Sequence, residues 1–195
     1  MSTYPYGPHL KAKLTNADVK WIGLPGWTAD NMLRNLDNEK IGLRATLQRY
    51  NQQEPSKEYT KYPVSLAILL AGTNDLGFGF DAEDISENLY KMHEICYENK
   101  VPHTIAIGIP PSAYQAMNDS AAKLVKTVND NLRAYCATHP DKATFVDFPF
   151  AYERGGPNWY SDGLHFSAQG YELLGEILAP TVDHILKSLE GSARH

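Results

Sequence analysis

The 195-residue chain has no apolar run approaching the roughly 20 residues that a membrane-spanning helix needs, so it contains no candidate span. It has little cysteine. Two residues, Cys96 and Cys136, cannot build the disulfide framework of a small secreted fold, and both fall on apolar stripes of expected helices, where a thiol serves as a small hydrophobe. Basic clusters are missing as well. Lys and Arg are scattered through a chain of formal charge −5, which leaves no electrostatic footprint for nucleic acid. The opening MSTYPYGPHL lacks the apolar core of a signal peptide, which points to the cytosol if Met1 is the natural start. Pairs of His or Cys at ligand spacing are lacking too, so no metal site is expected. What remains is an ordinary globular composition, 43% hydrophobic and 21% charged, at a length suited to one domain, 1–195.

Within that domain, strand and helix patterns alternate. Val19–Leu24 reads as a short strand closed by Pro25-Gly26. Helical sequence follows over Ala29–Leu36 and Ile41–Tyr50, then a polar loop over 51–62. Val64–Leu70 is apolar almost throughout, as a strand buried on both faces would be. Asp81–Asn99 reads as an amphipathic helix with an acidic first turn, and Thr104–Ile109 as the next buried strand. Asp119 or Ser120 should cap a helix reaching about Thr138, and Thr144–Phe148 makes a further strand. Ser167 should cap a last helix, apolar through Leu174, Leu178, Ile185 and Leu189, that Pro180 kinks or interrupts. Strands separated by helices imply an α/β fold with an open parallel sheet, and in such sheets ligand chemistry gathers at the carboxyl ends of the strands.

Three short segments lie at those ends. In Leu24-Pro25-Gly26-Trp27-Thr28, Gly26 either supplies a positive φ for the turn or leaves its backbone N–H bare for close approach to a substrate oxygen. In Gly72-Thr73-Asn74-Asp75, the residues are turn formers, or Asn74 offers its side-chain amide to a developing oxyanion. In Ser161-Asp162-Gly163-Leu164-His165, the three-residue separation lets the Asp162 carboxylate accept from the ring N–H of His165, which leaves the other ring nitrogen as a base. Trp27, Trp159 and Tyr160 either line the mouth of this site or pack beneath it.

Taken together, the wording LPGWT, AGTNDLGFG and SDGLHFSAQGYELLG resembles the SGNH hydrolases, the GDSL-type esterases and lipases, from about Pro5 to Leu189. The resemblance implies a three-layer α/β/α sandwich with a parallel, flavodoxin-like sheet. It implies hydrolysis or transfer of acyl groups on esters, thioesters or sugar O-acetyl groups, with a small-molecule ester as partner and no cofactor. His165 would be the general base, Asp162 its orienter, and Gly26 and Asn74 would form the oxyanion hole.

One hallmark of that family is missing: no Gly-Asp-Ser occurs anywhere in the chain. In the family this block ends a central strand and carries the nucleophile. Ser120 is better explained by capping, Ser161 and Ser167 flank the Asp–His pair on the wrong side, and Ser2 sits where nothing would hold it against the imidazole. The first central strand is therefore expected to be missing, at about 1–3 kcal/mol for each backbone group left buried and unpaired. The sequence reads as the part of an active hydrolase that follows an upstream serine, with little activity of its own. The alternative is a non-catalytic binding or interaction protein whose sheet is closed up or completed by another copy in a homo-oligomer. A nucleotide-binding flavodoxin-like reading lacks a glycine-rich phosphate loop.

Overall fold

The computed structural model describes residues 5–52 and 63–192, so the loop read over 51–62 lies largely, and Ser2 wholly, outside the described residues. In chain order the elements are α1 (Gly7–Lys13), α2 (Ala29–Arg34), α3 (Leu43–Gln52), β1 (Leu66–Leu69), α4 (Ala82–Glu98), β2 (His103–Ile107), α5 (Ala113–Met117), α6 (Asp119–Thr138), β3 (Ala143–Val146) and α7 (Ala168–Ser192), with a 3₁₀ turn at Asn74–Gly77. They fold into two compact units. One holds Leu24–Pro110 and Ser120–Phe148. The other comprises the residues up to Gly23, Pro111–Asp119, and the chain from Pro149 onward.

The first of these units is an α/β fold around a parallel sheet of order β1-β2-β3, with Leu66 opposite His103 and Thr104 opposite Ala143. Among the described residues three strands form where four were expected. The residues 19–24 join no ladder among the described residues, and a strand without a partner is only extended chain. The expectation of burial on both faces also moves from β1 to β2. All of β2 is buried, whereas each residue of β1 keeps partial exposure, because β1 pairs only with β2 among the described residues. The two polar residues of β2 keep their hydroxyl and ring nitrogens satisfied. Thr104 Oγ1 lies 2.7 Å from His93 Nδ1 and 2.8 Å from the Tyr97 hydroxyl, and His103 Nε2 lies 2.9 Å from Thr144 Oγ1.

Helical periodicity decides which side chains cover this sheet. Ile85, Leu89 and Met92 of α4 and Val125, Val128, Leu132 and Cys136 of α6 are buried in one cluster with Ala106 and Ile109, at roughly 1.5–3 kcal/mol for each large side chain. A smaller cluster joins Leu47 of α3 to Cys96 and Val101. Both cysteines are buried and free, as their stripes implied. The Asp81 carboxylate accepts from Asp84 N at 2.8 Å and starts α4. Helix α6 spans Asp119–Thr138, its start falling at the expected Asp119-Ser120.

In the second unit, α7 packs along α1. Gly175 makes this possible: a Cβ there would stand 2.7 Å from Leu10 N and 2.8 Å from His9 Cβ. Pro180 does not interrupt α7, which runs unbroken from Ala168 to Ser192. The local cost of an interior proline, about 3 kcal/mol, is offset by burial of Leu174, Leu178, Val182 and Ile185 on either side of it. Ser167 does cap the helix, its Oγ accepting from Gly170 N at 3.1 Å. Ahead of α7, the rings of Phe150, Tyr152, Trp159, Phe166 and Tyr171 meet edge-on at centroid distances of 5.0–5.8 Å.

Candidate active site

The loop Tyr160–Phe166 rises from this aromatic cluster. Its ends are joined by an antiparallel bridge between Trp159 and Phe166 and by a bond from Tyr160 N to His165 O at 2.9 Å. The chain reverses at Gly163, whose φ of +67° suits glycine. A Cβ at that position would lie 2.5 Å from Ala113 Cβ, and Gly163 O accepts from Ala113 N at 2.8 Å, so the start of α5 packs directly on the turn.

Asp162 organises the loop from within. Its Oδ1 accepts from Leu164 N at 2.9 Å and from His165 N at 3.0 Å, and its Oδ2 accepts from His165 Nδ1–H at 2.8 Å. Burial pushes the Asp162 carboxyl upward, but the two backbone N–H bonds and the imidazole outweigh it and hold the group below the usual carboxylate range. An ionised partner at Nδ1 fixes the tautomer in which Nε2 is the proton acceptor. Both side chains are half-exposed, at 51% each, so the imidazole is open to reactants.

In the sheet-bearing unit, Gly26 and Asn74 are brought to one place. Leu24 O accepts from Trp27 N at 3.2 Å, and with Pro25 fixing one φ and Gly26 at +78° the four residues make a type II turn. Nothing lies within 4 Å of where a Gly26 Cβ would be, so that face of the turn is open. One amide hydrogen of Asn74 is donated to Trp27 O at 2.9 Å. Among the described residues the other meets no acceptor.

Sequence reasoning passed over Asp75. It is fully buried, and both its carboxylate oxygens accept from Ala29 N, at 3.0 and 3.1 Å, at the first turn of α2. The Thr28 hydroxyl, also buried, caps the same helix by accepting from Asn31 N. In sequence Asp75 looked like one more turn former, and no local pattern separates it from one.

Of the aromatics, Trp159 is core, 6% exposed with Nε1 donating to Ala151 O, whereas Tyr160 stands out at 38%. Ser167 Oγ is committed to Pro157 O at 2.6 Å and to its capping role. Among the described residues no three His, Cys, Asp or Glu side chains are grouped to hold a metal ion. None of the described helices is long and apolar enough to cross a membrane.

The chain is similar to several known proteins. N-acylneuraminate cytidylyltransferases of Streptococcus agalactiae are 27% identical over 126 residues, which is 63% of this chain and 29% of theirs, so the chain spans under a third of these curated relatives. A lipolytic G-D-S-L family protein of Veillonella parvula superposes with a TM-score of 0.66 at 22% identity, covering 90% of this chain and 85% of its own. The aryl esterase of M. smegmatis gives 0.67 at 16% identity, covering 93% and 86%. A carbohydrate acetylesterase family member from Sinorhizobium meliloti gives 0.61 at 18%, again covering 93% and 86%. These likenesses share the fold. The model of the GDSL-like lipase/acylhydrolase family matches residues 2–173, and the chain belongs to that family.

Proposed function

We propose that this chain carries the base and the oxyanion donors of a serine-type ester hydrolase. His165 takes the proton of the attacking serine, Asp162 holds the ring and stabilises the imidazolium, and Gly26 N–H and the Asn74 amide receive the developing negative oxygen. The attacking serine is supplied by a Gly-Asp-Ser segment upstream of Met1, since the chain contains none. The substrate class is an acyl ester, a thioester or an O-acetylated sugar.

The observation that carries this reading is the Asp162–His165 contact, with Nδ1 on the carboxylate and two backbone N–H groups holding that carboxylate still. The two backbone bonds are those an ordinary Asx turn makes; the ring contact is what such a turn does not require. The test compares residues 1–195 with a form extended to its upstream Gly-Asp-Ser on a short-chain nitrophenyl ester. The extended form should hydrolyse it, dependent on His165, and the shorter chain should not. Robust His165-dependent hydrolysis by residues 1–195 would overturn the upstream serine. An extended form inactive on every acyl substrate would leave a non-catalytic binding protein.

A further inference from the structure

Gly26 sits in a two-residue turn that Pro25 and the bond from Trp27 N to Leu24 O shape locally, but neither fixes where the turn points. Its alignment comes from the other side of the unit, through two consecutive residues. Asn74 reaches the bend at Trp27 O, and Asp75 reaches the helix that follows it at Ala29 N. Thr28, between those two anchors, and Ala29 itself are buried at 2% and 0% exposure.

From this geometry we infer that Asp75 is the positioning residue of the oxyanion turn, clamping Ala29 N so that Gly26 and Asn74 are held as a donor pair, at a cost to the stability of the fold. The inference rests on the reading of Gly26 and Asn74 as oxyanion donors.

A fully buried carboxylate is an expensive anchor. Among the described residues no cation pairs with it; its bonds come from backbone N–H groups, and the charged side chain nearest in effect is Asp30 in the first turn of α2. Burial pushes the Asp75 carboxyl upward, the N–H groups of Ala29 and of Asp75 itself pull it back, and the Asp30 charge adds to the rise. Asp30 is itself drawn off by Arg34, whose Nε donates to it at 2.7 Å. A neutral asparagine could accept from the same amide and would bury an NH2 group, at about 1–3 kcal/mol, in place of a charge whose burial costs several, so stability alone does not account for the aspartate. What the charge adds is a stiffer bond. Hydrogen bonds to a charged acceptor are roughly twice as strong as neutral ones, and here both carboxylate oxygens face the one Ala29 N–H, at 3.0 and 3.1 Å.

The test is Asp75→Asn in residues 1–195, read by thermal melting and by amide exchange and chemical shifts in NMR. The melting temperature should equal or exceed that of the parent at neutral pH. Exchange at the Ala29 amide should quicken on the order of tenfold, the difference between a charged and a neutral acceptor. The backbone amides of Gly26 and Trp27 and the side-chain amide of Asn74 should shift or broaden, and the backbone amides of α4 and α6 should not. Asp75→Leu, which cannot accept at all, should enlarge the same local changes. If it fails to fold, the asparagine variant decides.

Unmoved turn resonances in Asp75→Asn would overturn the inference. So would a lower melting temperature with faster exchange, because the turn would then loosen only as the whole fold does. The donor reading fails separately: Asn74→Ala with unchanged hydrolysis in the serine-bearing form sinks it, whatever the spectra of Asp75→Asn show.

Discussion

Asp162 and His165 are joined twice, once through the backbone N–H of the histidine at 3.0 Å and once through its Nδ1–H at 2.8 Å. One carboxylate therefore sets both where the ring is attached and which way it faces. The pair is aligned by contacts within its own loop.

That double attachment makes the consequences of substitution unequal. In the serine-bearing form, His165→Ala should lower kcat on nitrophenyl acetate by about 10⁴-fold or more, because the base itself is gone. Asp162→Asn should cost roughly 10³–10⁴-fold, because an amide favours the wrong tautomer. Equal, small losses from both substitutions would count against the assigned roles.

Gly163→Ala should damage the same loop by sterics. The new methyl would meet Ala113 Cβ at 2.5 Å in a residue already at φ +67°. A loss of about 1–3 kcal/mol in urea unfolding is expected. The His165 ring resonances should move with it; a variant as stable as the parent with an unmoved ring would show that the turn is slack.

Gly175→Ala sets two effects against each other. Helix propensity favours alanine by about 1 kcal/mol. The added carbon, however, would sit 2.7 Å from Leu10 N and 3.0 Å from Tyr6 O, and backbone cannot swing aside as a side chain does. Overpacking of this kind costs about 1–3 kcal/mol, so the variant should melt lower than the parent.

Acid should unfold the protein partly through His93. Burial first, and the neighbouring His139 second, lower its pKa from 6.5 to about 4. The unfolded chain then binds the proton first as pH falls. This contribution is intact above about pH 6.5 and is lost progressively down to about pH 4, some 3 kcal/mol in all. His93→Gln, still able to meet Thr104, should flatten the dependence of urea midpoint on pH over that window. An unchanged slope would place the acid sensitivity elsewhere.

The dyad was legible because it is local. Three residues separate its members, and the bonds that align them close within the same loop. Helices α4 and α6 were legible for a similar reason, since an apolar stripe such as Ile85, Leu89, Met92 is written along one element. Other features depend on partners distant in sequence. The apolar run of β1 was read as buried on both faces, but burial is decided by what pairs with it. The segment 19–24 carries strand-like residues without a ladder to join. Pro180 looked like a break, and packing on both sides of it overrode the local penalty. Asp75 was hidden most completely. Its partner Ala29 is 46 positions away, and the contact uses a backbone amide that leaves no mark in composition.

The bond from Ala113 N to Gly163 O has a mechanical meaning. Helix α5 has no buried residue, and its Tyr114 and Met117 stand 48% and 79% exposed, so it is easily gripped from outside. A pull on that helix would reach Gly163 directly and the imidazole two residues later. The loop that carries His165 is thus tied to a helix of five residues, none of them buried.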